Sequence, residues 1–198
     1  MAELRNERDT NPLPVKEESE SPAKSGAQSN YAPPYREGVG GGLFVSDCTL
    51  ESDLEMYFPD QYVPSDSERM LLYRELDNLA NRNDLDAALA AYRSRLKDRF
   101  GEIPEVAEEL IRVVPLRRYG KELGCEKIML KQGRMFLYFV NNPNSPYYQS
   151  DAFGRVLDYV GHHVRRCNLR EQNGKRSMVI TDVPTVEEAV SVLHAIAQ

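Results

Sequence analysis

The chain has 198 residues, enough for one domain with a proper core plus a tail, and 41% apolar and 28% charged residues are ordinary for a soluble globular protein. A net charge of −6 argues against a surface dedicated to DNA phosphates and fits a basic protein partner better. Cys48, Cys125 and Cys167 are far apart and form no CxxC pair, which excludes a disulfide framework or a zinc site as an expectation. No apolar run approaches a membrane span, and Met1–Thr10 is too charged for a signal peptide. A cytoplasmic protein is expected, with no membrane partner.

Met1–Asp9 has helix-forming composition, so residues 1–10 read as the remnant of an upstream helix. Residues 11–43 read as a flexible Pro/Gly-rich linker, with Pro12, Pro14, Pro22, Pro33 and Pro34 against any helix and Gly40–Gly42 as a joint. That glycine run lacks the lysine-containing pattern of a phosphate cradle. The folded domain is expected over 44–198. Its first element is a half-buried strand through Phe58, with Cys48, Leu50, Leu54, Met56 and Phe58 alternating with polar residues and a slip of phase, or bulge, near Ser52-Asp53.

Pro59 and Pro64 bracket a turn, and Ser65-x-x-Glu68 is a capping box that opens a first helix with Leu72, Tyr73, Leu76, Leu79 and Ala80 on its buried face. Arg69 falls on the same face, where its stem would pack while its guanidinium reaches the rim; a buried partner carboxylate is the sharper reading. A second helix starts at Asn83 or Asp84, carries the stripe Leu85, Leu89, Tyr92, Leu96, Phe100, and stops at Gly101. Asp98 lies on its solvated face, in pairing range of Arg95. Pro104 opens a third helix reaching about Leu123, with Val106, Leu110, Val113 and Leu116 as its apolar side and a bend expected at Pro115.

Two hairpins follow. Lys127–Leu130 and Met135–Val140 flank a short turn, and a polar loop leads to a helix over Gln149–His162. Arg165–Glu171 and Lys175–Thr181 flank Asn173-Gly174, the favoured two-residue turn, and Thr185-x-x-Glu188 caps a last helix to Ala197. The expected fold is α+β: an N-terminal strand, a three-helix segment, then two β-hairpins each followed by a helix, with a mostly antiparallel sheet packed against the helices.

Few residues suggest chemistry. His162-His163 is the one imidazole cluster, but neighbours on a helix point about 100° apart and grip one metal poorly. Tyr147-Tyr148 with Arg165, Arg166 and Arg170 would make a nucleic-acid surface only if the rings stood in a basic groove, and packing is the simpler reading. Neither a Walker A loop nor a DExx box is present, and no nucleophile elbow marks a hydrolase. No enzyme, cofactor or metal is expected in this chain.

Three segments carry a resemblance: Pro59-Asp60-Gln61-Tyr62-Val63-Pro64 followed by Arg69, Leu72-Tyr73 and Leu76; Asp98-Arg99-Phe100-Gly101-Glu102-Ile103-Pro104; and Leu123-Gly124-Cys125-Glu126-Lys127-Ile128. In this order they resemble the C-terminal (TRCF) module of the bacterial transcription-repair coupling factor family, also called Mfd, well over Asp47–Phe139 and loosely beyond. The resemblance implies a parent that is a superfamily-2, ATP- and Mg-dependent DNA translocase, which binds double-stranded DNA, removes stalled RNA polymerase and recruits UvrA for excision repair. Residues Ala2–Arg8 would be the exit helix of that motor. For the module itself it implies autoinhibition, by packing on the UvrB-like N-terminal region and masking the UvrA-binding surface. Family members present acids to that region from the helix before the Phe-Gly stop. Asp98 matches one of those positions, while Arg95 stands at the other. The expected interdomain surface is Arg95, Asp98, Arg99 and Glu102. The alternative reading is a nucleic-acid-binding accessory domain of a helicase.

Overall fold

The computed structural model describes residues 44–198. The expected helix remnant over 1–10, the linker over 11–43 and the Gly40–Gly42 joint lie outside the described residues. Along the rest, the order is β1 (Thr49–Ser52), α1 (Asp66–Leu79), α2 (Leu85–Phe100), α3 (Glu105–Glu122), β2 (Cys125–Lys131), β3 (Arg134–Phe139), a 3-10 turn (Pro146–Gln149), α4 (Asp151–His162), β4 (Cys167–Gln172), β5 (Lys175–Thr181) and α5 (Val186–Ala197). This is the α+β arrangement of one strand, three helices and two hairpins each followed by a helix. The five strands form one sheet in the order β1-β2-β3-β5-β4, with β1 parallel to β2 and every other pairing antiparallel.

Both hairpins close on two-residue turns whose residues sit at positive φ: Gln132 (53°) and Gly133 (67°) in the first, Asn173 (54°) and Gly174 (73°) in the second. Two adjacent left-handed residues give the turn a twist that matches the strands. The first strand is shorter than its alternation suggests. It ends at Ser52, whose Oγ accepts the amide of Leu54 at 3.0 Å, while the Asp53 carboxylate accepts the amide of Gln132 at 3.0 Å. Those side-chain bonds turn the chain away, and the register slip lies instead in β2, between Cys125 and Lys127.

Two hydrophobic cores flank α3. One lies under the sheet and includes Leu116, Leu123, Ile128, Leu137, Tyr147 and Leu193; the other gathers Tyr62, Leu76, Leu89, Tyr92, Leu96 and Ile111 between α1, α2 and α3. Because α3 serves both, no residue from Val106 to Glu122 is fully exposed. The stripe expected from Val106, Leu110, Val113 and Leu116 is therefore incomplete for this helix: Leu116 is buried and Leu110 and Val113 pack partly buried against the cores, but Ala107, Ile111 and Val114 are buried as well. A helix packed all round shows no single apolar face. It runs as one element through Pro115.

Glu109 is the one buried charged residue among those described. Its carboxylate accepts the first amides of α5, Val186 at 2.5 Å and Glu187 at 3.4 Å, and Arg112 donates to it at 2.9 Å. Thr185 Oγ1 accepts the next amide, Glu188, at 3.1 Å. The orphan donors of this helix start are thus matched one by one. Glu109→Ala leaves two amides and Arg112 short of a partner, and is expected to lower the unfolding free energy by about 3 kcal/mol, read from urea denaturation. Gly124, at φ +71°, has no room for a Cβ, which would lie 2.2 Å from the Tyr147 ring. Gly124→Ala combines left-handed strain with that clash, and a loss of about 2 kcal/mol or more is expected in the same assay.

Candidate interdomain interface

The face that holds the expected interface residues begins with the turn before α1. Ser65 caps that helix, its Oγ accepting the Glu68 amide at 3.4 Å. The reciprocal half of the capping box is not made, because the Glu68 carboxylate is paired with Arg99 of α2. Arg69, with its side chain 16% exposed, donates to the Val63 carbonyl at 2.6 Å and pairs with Asp60 at 3.1 Å and with Asp66. Its partners are therefore surface carboxylates rather than a buried one, and it clasps the Pro59–Pro64 turn onto the helix. Tyr62 completes the joint by donating to the Gly101 carbonyl at 3.2 Å.

Helix α2 lies beside α1 with its stripe inward: Leu85, Leu89, Tyr92 and Leu96 are buried, and the Tyr92 hydroxyl donates to the Leu72 carbonyl at 3.0 Å. Asp84 occupies the cap position but makes no capping bond, since its carboxylate is held by Arg82 at 2.7 Å. At the far end Gly101 turns the chain at φ +86°. A second seam of charge runs outside the apolar one. Arg95 pairs with Glu75, and Arg99 with Glu68, so the pair expected between Arg95 and Asp98 does not form. Arg99 also lies 5.2 Å from the Phe100 ring centroid. Lys97 and Glu102 pair across the helix end at 3.0 Å.

The four expected residues thus share one exposed region but not one role. Arg95 and Arg99 are turned towards α1, Glu102 is tied to Lys97, and Asp98 alone has no ion-pair or hydrogen-bond partner among the described residues. The contribution of Glu68 and Glu75 is legible only once the helices are antiparallel. Two turns apart on α1, they meet arginines one turn apart on α2.

The other groups considered for chemistry are structural. Tyr147 is fully buried and donates to the Leu123 carbonyl at 2.6 Å; Tyr148 donates to the Val140 carbonyl at 2.5 Å, with the Arg176 guanidinium 4.1 Å above its ring. Arg166 is spent on the Thr181 and Asp182 carbonyls and on Glu188. The rings therefore pack, as the simpler reading has it, and the alternative surface from Tyr147, Tyr148 and Arg165–Arg170 is not assembled. His162 and His163 bond the carbonyls of Asp158 and Tyr159 through Nδ1, closing the end of α4. Among the described residues no group of three or more His, Cys, Asp or Glu is placed to hold a metal ion. All three cysteines are buried, and burial pushes the Cys48 thiol up to about 12, far from a reactive thiolate. No described helix is long and apolar enough to cross a membrane.

A family model, the TRCF domain, matches residues 52–150, half of the chain and the stretch from the end of β1 to the start of α4. The chain belongs to this family. The transcription-repair-coupling factor of Rickettsia bellii (strain RML369-C) is 23% identical over 125 residues, covering 63% of this chain and 10% of that protein. The protein of that name from Escherichia coli (strain K12) is 26% identical over 86 residues, covering 43% and 7%. A crystal structure of the C-terminal domain of transcription-repair coupling factor superposes with a TM-score of 0.57 at 16% identity, over 76% of this chain and 91% of that one. That likeness shows a shared fold. The chain spans about a tenth of the length of the curated relatives it matches.

In the TRCF architecture Arg69 and Asp98 separate cleanly by role. Arg69→Ala frees the Pro59–Pro64 turn and is expected to cost about 2 kcal/mol of stability. Asp98→Lys is expected to leave the unfolding free energy within about 0.5 kcal/mol, because it breaks no ion pair or hydrogen bond among the described residues. Thermal and urea denaturation of the two variants side by side check both.

Proposed function

We propose that this TRCF domain is a regulatory module of a transcription-repair coupling factor, an ATP-driven DNA translocase that removes stalled RNA polymerase. In this reading it packs on the UvrB-like region of that protein, covers the surface that UvrA binds, and restrains the motor until polymerase is engaged. The observation that carries the reading is Asp98: exposed near the end of α2, with its charge not spent on any neighbour among the described residues. A carboxylate of this kind keeps its full pairing capacity for a basic surface.

The neighbouring arginines refine the picture. Arg95 and Arg99 are each matched by an α1 carboxylate, so they add little net repulsion to a basic partner. A latch with one free carboxylate is weak between separate molecules, and becomes effective when tethering raises the local concentration. An interface of this polar type also opens readily when a competing partner binds.

The test is titration of this chain into the isolated UvrB-like region at low salt, read by calorimetry or anisotropy. Binding in the range of about 10–100 μM is expected, weakened at least several-fold by Asp98→Lys and by added salt. Arg95→Glu restores an acid at the second position and is expected to tighten binding several-fold, although it breaks the pair with Glu75. No binding at low salt, or equal binding by all three proteins, would sink the latch.

A further inference from the structure

Among the described residues the sheet is covered on one face only. Its pairing register sends Ile128, Leu130, Met135, Leu137, Met178 and Ile180 into the core beneath the helices. Met129, Phe136, Tyr138 and Val179 alternate to the opposite face. Phe136 and Tyr138 belong to neither hydrophobic core and are half-buried, lying in the middle strand of the five. On that strand Phe136 stands between Met129 and Val179, and Tyr138 between Lys127 and Ser177. Two rings on one face, two residues apart, are separated by about 7 Å along the strand, room for each to take a separate base.

The charge on this face runs against the charge of the chain. By the same register it carries Lys127, Lys131, Arg134, Lys175 and Arg170, while the only carboxylate the register pairs on it is Glu51, held by Lys127 at 2.6 Å; exposed Glu126, at the bulge between Cys125 and Lys127, accepts the Asn141 amide at 3.0 Å. Lys131, Arg134, Arg170 and Lys175 have no carboxylate partner among the described residues, in contrast to the helical layer, where Arg69, Arg82, Arg93, Arg95, Arg99 and Arg112 are paired and Arg74 is the exception among the arginines of α1, α2 and α3. Lys127 and Arg134 each stand 5.7 Å from a ring centroid, over Tyr138 and Phe136. Aromatic rings flanked by cations, most of them without a carboxylate partner, on an open and mostly antiparallel sheet suit bases above and phosphates beside them. A duplex hides its base faces in its own stack and offers such a surface only phosphates.

We propose that this open sheet face binds single-stranded nucleic acid, with Phe136 and Tyr138 stacking bases and Lys131, Arg134, Arg170 and Lys175 holding the backbone. The site is separate from the α1–α2 face and does not depend on its role. A net charge of −6 averages over the whole chain and hides it.

Fluorescence anisotropy of the full chain with a labelled oligo-dT or oligo-U is the test, at about 50 mM salt. A Kd of about 1–100 μM, rising steeply with salt, is expected. Phe136→Ala and Tyr138→Ala should each weaken binding about tenfold, and a duplex of equal length should bind at least about tenfold more weakly. Lys131→Glu with Lys175→Glu should weaken binding and flatten the salt dependence. Circular dichroism of the ring variants checks that they fold, as expected for side chains outside both cores. A flat titration to about 100 μM, binding that survives loss of both rings in a folded protein, or equal affinity for duplex would each overturn the proposal.

Discussion

Helix α3 is the member on which the rest of the structure depends. One end of it, with Ala107, Ile111 and Val114, closes the helical core, and the other, with Leu116 and Leu123, closes the core under the sheet. Glu109 sits between them and reaches sideways to the first amides of α5. A buried carboxylate is costly unless its lone pairs are filled, and here they are filled by backbone donors that had no intrahelical partner. One side chain thereby removes two potential deficits, its own and that of the helix start. Without this joint, α5 would still have its apolar face, the Arg166–Glu188 pair and the Tyr119–His194 contact, but its first amides would have no side-chain acceptor from α3.

The two sides of the molecule use charge differently. In the helical layer most arginines are matched by carboxylates across α1, α2 and α3, so that surface is largely a mosaic of paired charges, and Asp98, with Arg74, Asp77 and Asp86, is among the exposed charges without a partner among the described residues. Such pairs contribute little stability each, but they fix which charges remain for a partner. On the open sheet face the cations are largely unmatched and stand among apolar side chains. The two surfaces therefore differ in chemistry, with an unspent acid on one and cations without carboxylate partners on the other.

The local punctuation of the fold was legible in the sequence. Ser65 and Thr185 cap helices, Gly101 ends one, and Asn173-Gly174 closes a hairpin. Each depends on backbone geometry within a few residues, which the residue types dictate almost alone. The readings that failed did so where distant groups competed. Alternation implied a strand to Phe58, but Ser52 and Asp53 turned the chain first. A capping box implied that Glu68 would bond its own helix start, but Arg99 offered a full charge. Arg95 and Asp98 are in helical pairing range, yet Glu75 lay within reach of the guanidinium.

What the sequence determined by itself is the order of elements, the family through its Pro-Tyr-Pro, Phe-Gly and Leu-Gly segments, and the acid at position 98. Those are properties of short windows. Only the tertiary structure decided which charges are free, that Tyr147 and Tyr148 are core rather than surface, and that Phe136 and Tyr138 face away from the helices. Local pattern gives a strand its two faces but not which of them is covered, because that is settled by helices arriving from elsewhere in the chain.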